Sequence, residues 1–183
     1  MKKRFINCVL LIALLLPTLF YGQKYGTRTG TVKFEASVPS FEEVAGENKS
    51  VSAALNTSSG DIAVLALMKG FRFKVALMEE HFNENYVESN KYPKATFKGK
   101  IENFDSAKLS ETPKEYTITG EITLHGKTKQ ITDIAMMSKS GNVITVTGKF
   151  NVKPADFDIE VPNVVRKKVA EAVAVTYNLL LTK

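Results

Sequence analysis

The 183-residue sequence predicts an all-β fold: a single antiparallel barrel of about eight strands, with a short helix near the barrel mouth. Three observations predict it. Apolar and polar residues alternate with a period of two in most segments, as in strands with one buried face. Short turn signals separate these segments, so neighbouring strands are expected to pair as a meander that closes without exposed edges. One amphipathic segment with helical spacing interrupts the meander.

The first half of the predicted barrel contains three strands. Residues 31–38 alternate cleanly, with the apolar side chains on one face. Residues 51–55 repeat the pattern before a turn at 58–61. Residues 62–73 are then apolar on both faces, so we expect a third strand with the lumen on one side and the following helix packed on the other.

A helix and a fourth strand meet at a proline corner. The apolar and aromatic positions in residues 77–86 are spaced for one face of a helix, with glutamates between them. After Pro93 the period changes to two, and residues 95–101 are typical of a half-buried strand. The sequence therefore predicts a helix that leads into a barrel strand.

Four further segments alternate and complete the barrel: 116–124, 127–137, 144–152 and 173–181. His125 and Gly126 predict a tight turn between the first two of these segments. Residues 164–172 have a composition compatible with a short helix, but we expect most of this stretch to lead into the last strand.

The beginning of the chain predicts a secretory signal peptide over residues 1–23. Three basic residues precede an apolar stretch at residues 5–20, which is shorter than the roughly 20 apolar residues needed to cross a bilayer. We expect cleavage near Gly22 or Gln23 and an exported protein, periplasmic or secreted. The remaining residues, 24–183, form one predicted domain with a substantial core.

Cysteine content and charge narrow the function classes. The single cysteine, Cys8, lies inside the predicted signal peptide, so the mature domain has no disulfide to stabilise it. The net charge of +6 falls to +3 when the three basic residues of the predicted signal peptide are removed. The lysines are scattered over alternate strand positions, as on a solvated barrel exterior, so we expect no nucleic-acid binding.

The predicted lumen is the candidate binding site. Its expected lining is apolar and aromatic: Phe34, Phe71, Phe73, Leu77, Phe82, Phe97, Ile101, Ile118, Ile122, Ile144, Phe150, Val175, Tyr177 and Leu179. Alternation alone also fits an ordinary filled core, because any barrel needs inward apolar residues whether or not its centre is empty.

Several segments together resemble the YceI-like family. The matching elements, in order along the chain, are His81-Phe82-Asn83, Tyr92-Pro93, Ala95-Thr96-Phe97, residues 120–126 and Asp156-Phe157. This resemblance covers most of residues 24–183. It implies a bacterial periplasmic or secreted protein with a lipocalin-like barrel whose interior holds a polyisoprenoid or a similar long apolar lipid.

We therefore expect a non-enzymatic exported carrier that sequesters an isoprenoid quinone, a polyprenyl lipid or another long-chain amphiphile, bound as ligand with no cofactor. Burial of a chain of about twenty carbons at about 0.8 kcal/mol per methylene contributes on the order of 16 kcal/mol before the cost of association. His81, Asn83 or Tyr86 is expected to hydrogen-bond the head group. The helix is either a fixed lid or a portal that contacts a membrane transiently. The oligomeric state stays open, a dimer included.

Two other functions stay open on the sequence. A small barrel enzyme, an isomerase or hydrolase of an apolar substrate, would use His81 or His125 as general base, although no nucleophile elbow accompanies them. A filled barrel would serve as an envelope stress or interaction module. We expect no metal, because His81 with Glu84 is only half of a carboxylate–histidine motif. His125 lies in a turn, which it is expected to cap by hydrogen bonding to backbone.

Overall fold

The computed structural model describes residues 24–183, which form a closed antiparallel barrel of eight strands. The strands are β1 Lys24–Ser37, β2 Ala45–Asn56, β3 Asp61–Leu67, β4 Lys94–Ile101, β5 Lys114–Leu124, β6 Lys127–Ser140, β7 Val143–Val152 and β8 Val169–Thr182. Each strand pairs with the next along the chain, and β8 pairs with β1. The predicted all-β barrel is confirmed, while the predicted signal peptide at residues 1–23 lies outside the described residues.

The third strand, β3, is shorter than the strand predicted over residues 62–73. It ends at Leu67, whose carbonyl accepts a 2.9 Å hydrogen bond from the Asn48 side chain, and a 3₁₀ turn, Met68–Gly70, follows. Arg72 then pairs with Glu47 in an isolated bridge. Residues 68–73 thus fold across the end of the barrel. The prediction that the helix packs on the outer face of β3 is wrong, since Leu67 on that face is 55% exposed.

The predicted helix is present at the same end of the barrel. Helix α1, Ala76–His81, continues into a π-helical turn, Phe82–Tyr86. Glu79 fixes it to the preceding segment, because its carboxylate accepts a 2.9 Å hydrogen bond from Arg72 and a 3.1 Å bond from the Phe73 amide. We call this end of the barrel the mouth.

The opposite end of the barrel is filled by side chains and is called the closed end. Its centre consists of large apolar residues that are at most 1% exposed: Leu55, Ile101, Met137, Ile144 and Leu181. Register explains the cluster, because Ile144 pairs with Leu181 and both alternate inward. Each such side chain contributes roughly 1.5–3 kcal/mol by burial, so this end anchors the barrel.

The strand ladder between β6 and β7 is incomplete. It joins Met136–Ser140 to Val143–Thr147 only, whereas β5 pairs with β6 along their whole shared length and β7 pairs with β8 from end to end. The mouth-side halves of β6 and β7, residues 127–135 and 148–152, are therefore not paired with each other. We call this interval the ladder gap.

The same substitution, isoleucine to alanine, should destabilise the protein to different extents at the two ends of the barrel. Ile144→Ala in the closed end should lower the free energy of unfolding by about 2–5 kcal/mol, because it leaves a cavity in a fully packed cluster. Ile122→Ala should cost clearly less, since Ile122 is half-buried and already borders empty space. Urea unfolding of both lipid-stripped variants measures this difference. An equal or larger loss for Ile122→Ala would mean that the mouth half is packed as tightly as the closed end.

Candidate ligand cavity

A cavity of about 490 Å³ occupies the mouth half of the barrel. Side chains from every strand except β2 line it, together with the helix, the segment before it and the loop between β7 and β8. Its volume falls within the range of about 300–1,000 Å³ that is typical of small-molecule sites. The lining is mainly aliphatic and aromatic, so the cavity suits an apolar ligand.

Most of the predicted lumen residues lie in this cavity. Eleven of the fourteen line it: Phe34, Phe71, Phe73, Phe82, Phe97, Ile118, Ile122, Phe150, Val175, Tyr177 and Leu179. Ile101 and Ile144 point inward as predicted but belong to the closed end, where they are 1% and 0% exposed. Leu77 faces outward from the helix and is 57% exposed. Alternation identifies the inward face of a strand but not the height of each residue along the barrel axis.

Four phenylalanine rings form the roof of the cavity, which we call the Phe cluster: Phe34, Phe71, Phe73 and Phe82. Phe82 of the π-helical turn stacks on Phe34 of β1 with 5.2 Å between ring centroids. Gly46 makes room for the rings, because a β-carbon there would lie 2.7 Å from the Phe34 ring. The cluster joins the helix to the barrel wall at the top of the cavity.

The residues predicted to bind a head group divide into two kinds. His81 and Tyr86 line the cavity, and neither side chain has a hydrogen-bond partner within residues 24–183. Asn83 does not line it; its amide nitrogen donates a 2.8 Å bond to the Glu79 carbonyl, and its oxygen is buried without a partner. The turn that brings Tyr86 to the cavity rotates Asn83 away, which corrects the prediction for Asn83.

Three charged residues that line the cavity were not predicted from the sequence. Glu42 and Lys168 line the mouth from loops that have no periodicity from which to read a direction. Asp133 lines the cavity from β6, and its position between inward-facing Ile131 and Ala135 was a readable signal. Asp133 accepts a 2.7 Å hydrogen bond from the Tyr177 hydroxyl. Burial, followed by this bond, raises the pKa of Tyr177 above its usual range.

His125 connects three segments at the mouth. Its Nε2 lies 2.8 Å from a Glu88 carboxylate oxygen after the helix, and its Nδ1 lies 2.9 Å from the Phe157 carbonyl after β7. Both partner atoms are oxygens that accept hydrogen bonds. The predicted bond to backbone exists, but it crosses to another loop instead of capping the turn. Beside it, Lys127 forms a 2.7 Å ion pair with Asp158 and lowers the pKa of that carboxyl group.

Within residues 24–183, no three histidine, cysteine, aspartate or glutamate side chains are grouped closely enough to hold a metal ion. Over the same residues, no helix has the length and apolar character needed to cross a bilayer.

The two histidines should differ in their effect on stability. His125→Ala removes both hydrogen bonds of a side chain that is only 9% exposed, so it should lower the free energy of unfolding by about 2–3 kcal/mol. His81→Ala, a matched control on an exposed and unbonded side chain, should change it by less than about 0.5 kcal/mol. Urea unfolding at pH 6 compares them. Equal losses would contradict the connecting role of His125.

Comparison with known proteins gives the family of the chain. The model of the YceI-like domain matches residues 25–181. Comparison with curated protein sequences gave no match.

Similar solved structures share the fold at low identity. A polyisoprenoid binding domain from Saccharophagus degradans is 16% identical, with a TM-score of 0.75 over 87% of this chain and 98% of that one. BcnA of Burkholderia cenocepacia is 19% identical, with a TM-score of 0.68 over 82% and 95% of the two chains. The Campylobacter jejuni YCEI protein is 17% identical, with a TM-score of 0.61 over 75% and 84%. With its barrel, its lumen and the family match over residues 25–181, the chain belongs to the YceI-like family.

Proposed function

We propose that this protein is a binding protein that holds a long apolar chain inside the mouth half of its barrel. The observation that carries the proposal is the 490 Å³ apolar cavity between the Phe cluster and the closed end. A channel closed at one end and roofed by aromatic rings favours an extended chain, since the chain can bury its length without any polar site along it.

The energetics are favourable for a ligand of this kind. A chain of about twenty carbons gains on the order of 16 kcal/mol when it is fully buried, at about 0.8 kcal/mol per methylene. The loss of translational and rotational freedom costs roughly 4–15 kcal/mol. Long-chain isoprenoid quinones, polyprenyl lipids and similar amphiphiles are therefore the proposed ligand class. The polyisoprenoid binding described for the Saccharophagus degradans domain supports this class.

Three side chains at the mouth are available for a polar head group. His81 and Tyr86 line the cavity and carry unbonded polar atoms, and Lys168 lies on the same lining. A head group that stays outside the lumen would meet these residues. A bulky or anionic head group suits this position best, because it keeps contact with water and lies near the three basic residues of the turn Arg166–Lys168, which outnumber Glu42 at the mouth.

The same end of the barrel carries features that suit a membrane surface. Exposed apolar side chains surround it: Phe41, Val75, Leu77 and Val164. The turn Arg166–Lys168, just before β8, is entirely basic. Apolar side chains that enter the interface and lysines that attract anionic lipids would hold the mouth against a bilayer while a chain is exchanged.

The carrier is favoured over the enzyme by the placement of the histidines. His125 has both ring nitrogens bonded and does not line the cavity, so it is poorly placed as general base. His81 borders the cavity but has no hydrogen-bonded carboxylate to orient it among residues 24–183. A pure interaction module would not need an unfilled lumen.

We also propose that residues 1–23 are a signal peptide and that the mature protein acts outside the cytoplasm, in the periplasm or after secretion. The basic start followed by an apolar stretch supports this part of the proposal. The intact mass of the protein from an exporting host should correspond to a chain that begins near Gln23 or Lys24. An intact mass that retains residues 1–23 would contradict it.

Blocking the lumen should abolish binding. Val175→Trp places an indole in the cavity from β8 and should weaken the binding of a twenty-carbon polyprenyl alcohol to lipid-stripped protein at least tenfold. The matched control is Thr176→Trp, at the next position of β8 but on the exposed outer face, which should leave affinity within about twofold. Isothermal titration calorimetry measures both. Equal affinity in the two variants would contradict binding inside the barrel.

A further inference from the structure

A polar pair lies at the floor of the cavity, away from the polar residues of the mouth. The Tyr177 hydroxyl on β8 donates a 2.7 Å hydrogen bond to Oδ2 of Asp133 on β6. Both side chains line the cavity and are half-buried. Ala135 shows where the pair lies along the barrel axis. It is the next inward residue of β6, is 0% exposed and belongs to the closed end. The pair therefore sits where the empty part of the lumen meets the filled part.

Gly148 shapes this pair. Tyr177 is opposite Gly148 in the β7–β8 register, and the tyrosine ring lies over it. A β-carbon at position 148 would overlap the Tyr177 hydroxyl and would lie 2.8 Å from Oδ2 of Asp133. The absent side chain lets the tyrosine reach across β7 to β6 at the start of the ladder gap, where the two strands cease to pair.

The pair has unused acceptor capacity. A carboxylate offers about four lone-pair sites, and the tyrosine occupies one of them. No second hydrogen bond to Asp133 exists among residues 24–183, and its neighbour across the β5–β6 ladder is Ile118, an apolar residue. Polar groups in apolar surroundings are costly unless they are paired. A donor group on a ligand would supply the missing partner.

We propose that Asp133, positioned by Tyr177, recognises a neutral hydrogen-bond donor on the ligand, so that the barrel prefers long-chain amphiphiles with a hydroxyl group that enters the lumen first. This inference rests on the proposed function and specifies its ligand class. The acceptor-only carboxylate pairs with a hydroxyl but not with an ether oxygen. An anionic head group would be repelled by it and would stay at the mouth beside Lys168.

The test compares two ligands that differ only in the donor. Lipid-stripped wild-type protein is titrated with a twenty-carbon polyprenyl alcohol and with its methyl ether. We expect the alcohol to bind about tenfold more tightly, which is the size of one hydrogen bond to a carboxylate. Asp133→Asn keeps the shape of the side chain but adds an amide N–H that can donate to the ether oxygen. The affinities for the alcohol and the ether should then differ by no more than about twofold.

Tyr177→Phe separates recognition from a structural role. It breaks the same hydrogen bond but leaves the Asp133 acceptor in place, so the preference for the alcohol should stay at least fivefold. If Asp133→Asn and Tyr177→Phe lose the preference equally, the pair only ties β6 to β8 and the inference fails. Equal binding of alcohol and ether to wild-type protein also overturns it while leaving the proposed function intact. If neither ligand binds, the proposed function fails and this inference falls with it.

Discussion

The closed ladder of eight strands is the constraint from which the other properties follow. An eight-stranded barrel has an interior that side chains can just fill, so a cavity exists only where inward residues leave space. At the closed end, residues such as Leu55, Met137 and Leu181 fill the interior completely. At the mouth, the four rings of the Phe cluster line the top of the cavity, and side chains do not fill the volume below them. The filled end supplies stability, which allows the other end to stay hollow.

The cavity joins two chemically different ends. Its roof combines the Phe cluster with the free polar groups of His81 and Tyr86, and its floor carries Asp133 bonded to Tyr177. The floor lies where β6 and β7 cease to pair, so the polar pair spans a place that backbone hydrogen bonds do not close. The mouth is held by His125, which joins the segment after the helix to the loop after β7. The polar groups of the cavity and the hydrogen bonds that hold the mouth together thus lie at different places in one small barrel.

Much of the fold could be predicted from alternation alone, because a period of two reports which face of a strand is buried. The strand pair around His125 was predicted in this way, whereas the helix before Pro93 was predicted from the helical spacing of its apolar residues. Alternation does not report position along the barrel axis, so Ile101 and Ile144 were placed in the cavity instead of in the closed end. It also carries no information about loops, so Glu42 and Lys168 were missed, and the partner of His125 at Phe157 depends on contacts between distant segments.

The central claim is that the lumen holds a long apolar chain in the protein as it occurs in its host. Native mass spectrometry of protein purified without detergent, followed by solvent extraction and mass analysis of the released material, tests this claim most directly. We predict one bound molecule per barrel, released unchanged, with the mass of a polyprenyl or acyl amphiphile. Protein that is uniformly unliganded, and that takes up no such molecule when mixed with a lipid extract, would contradict it.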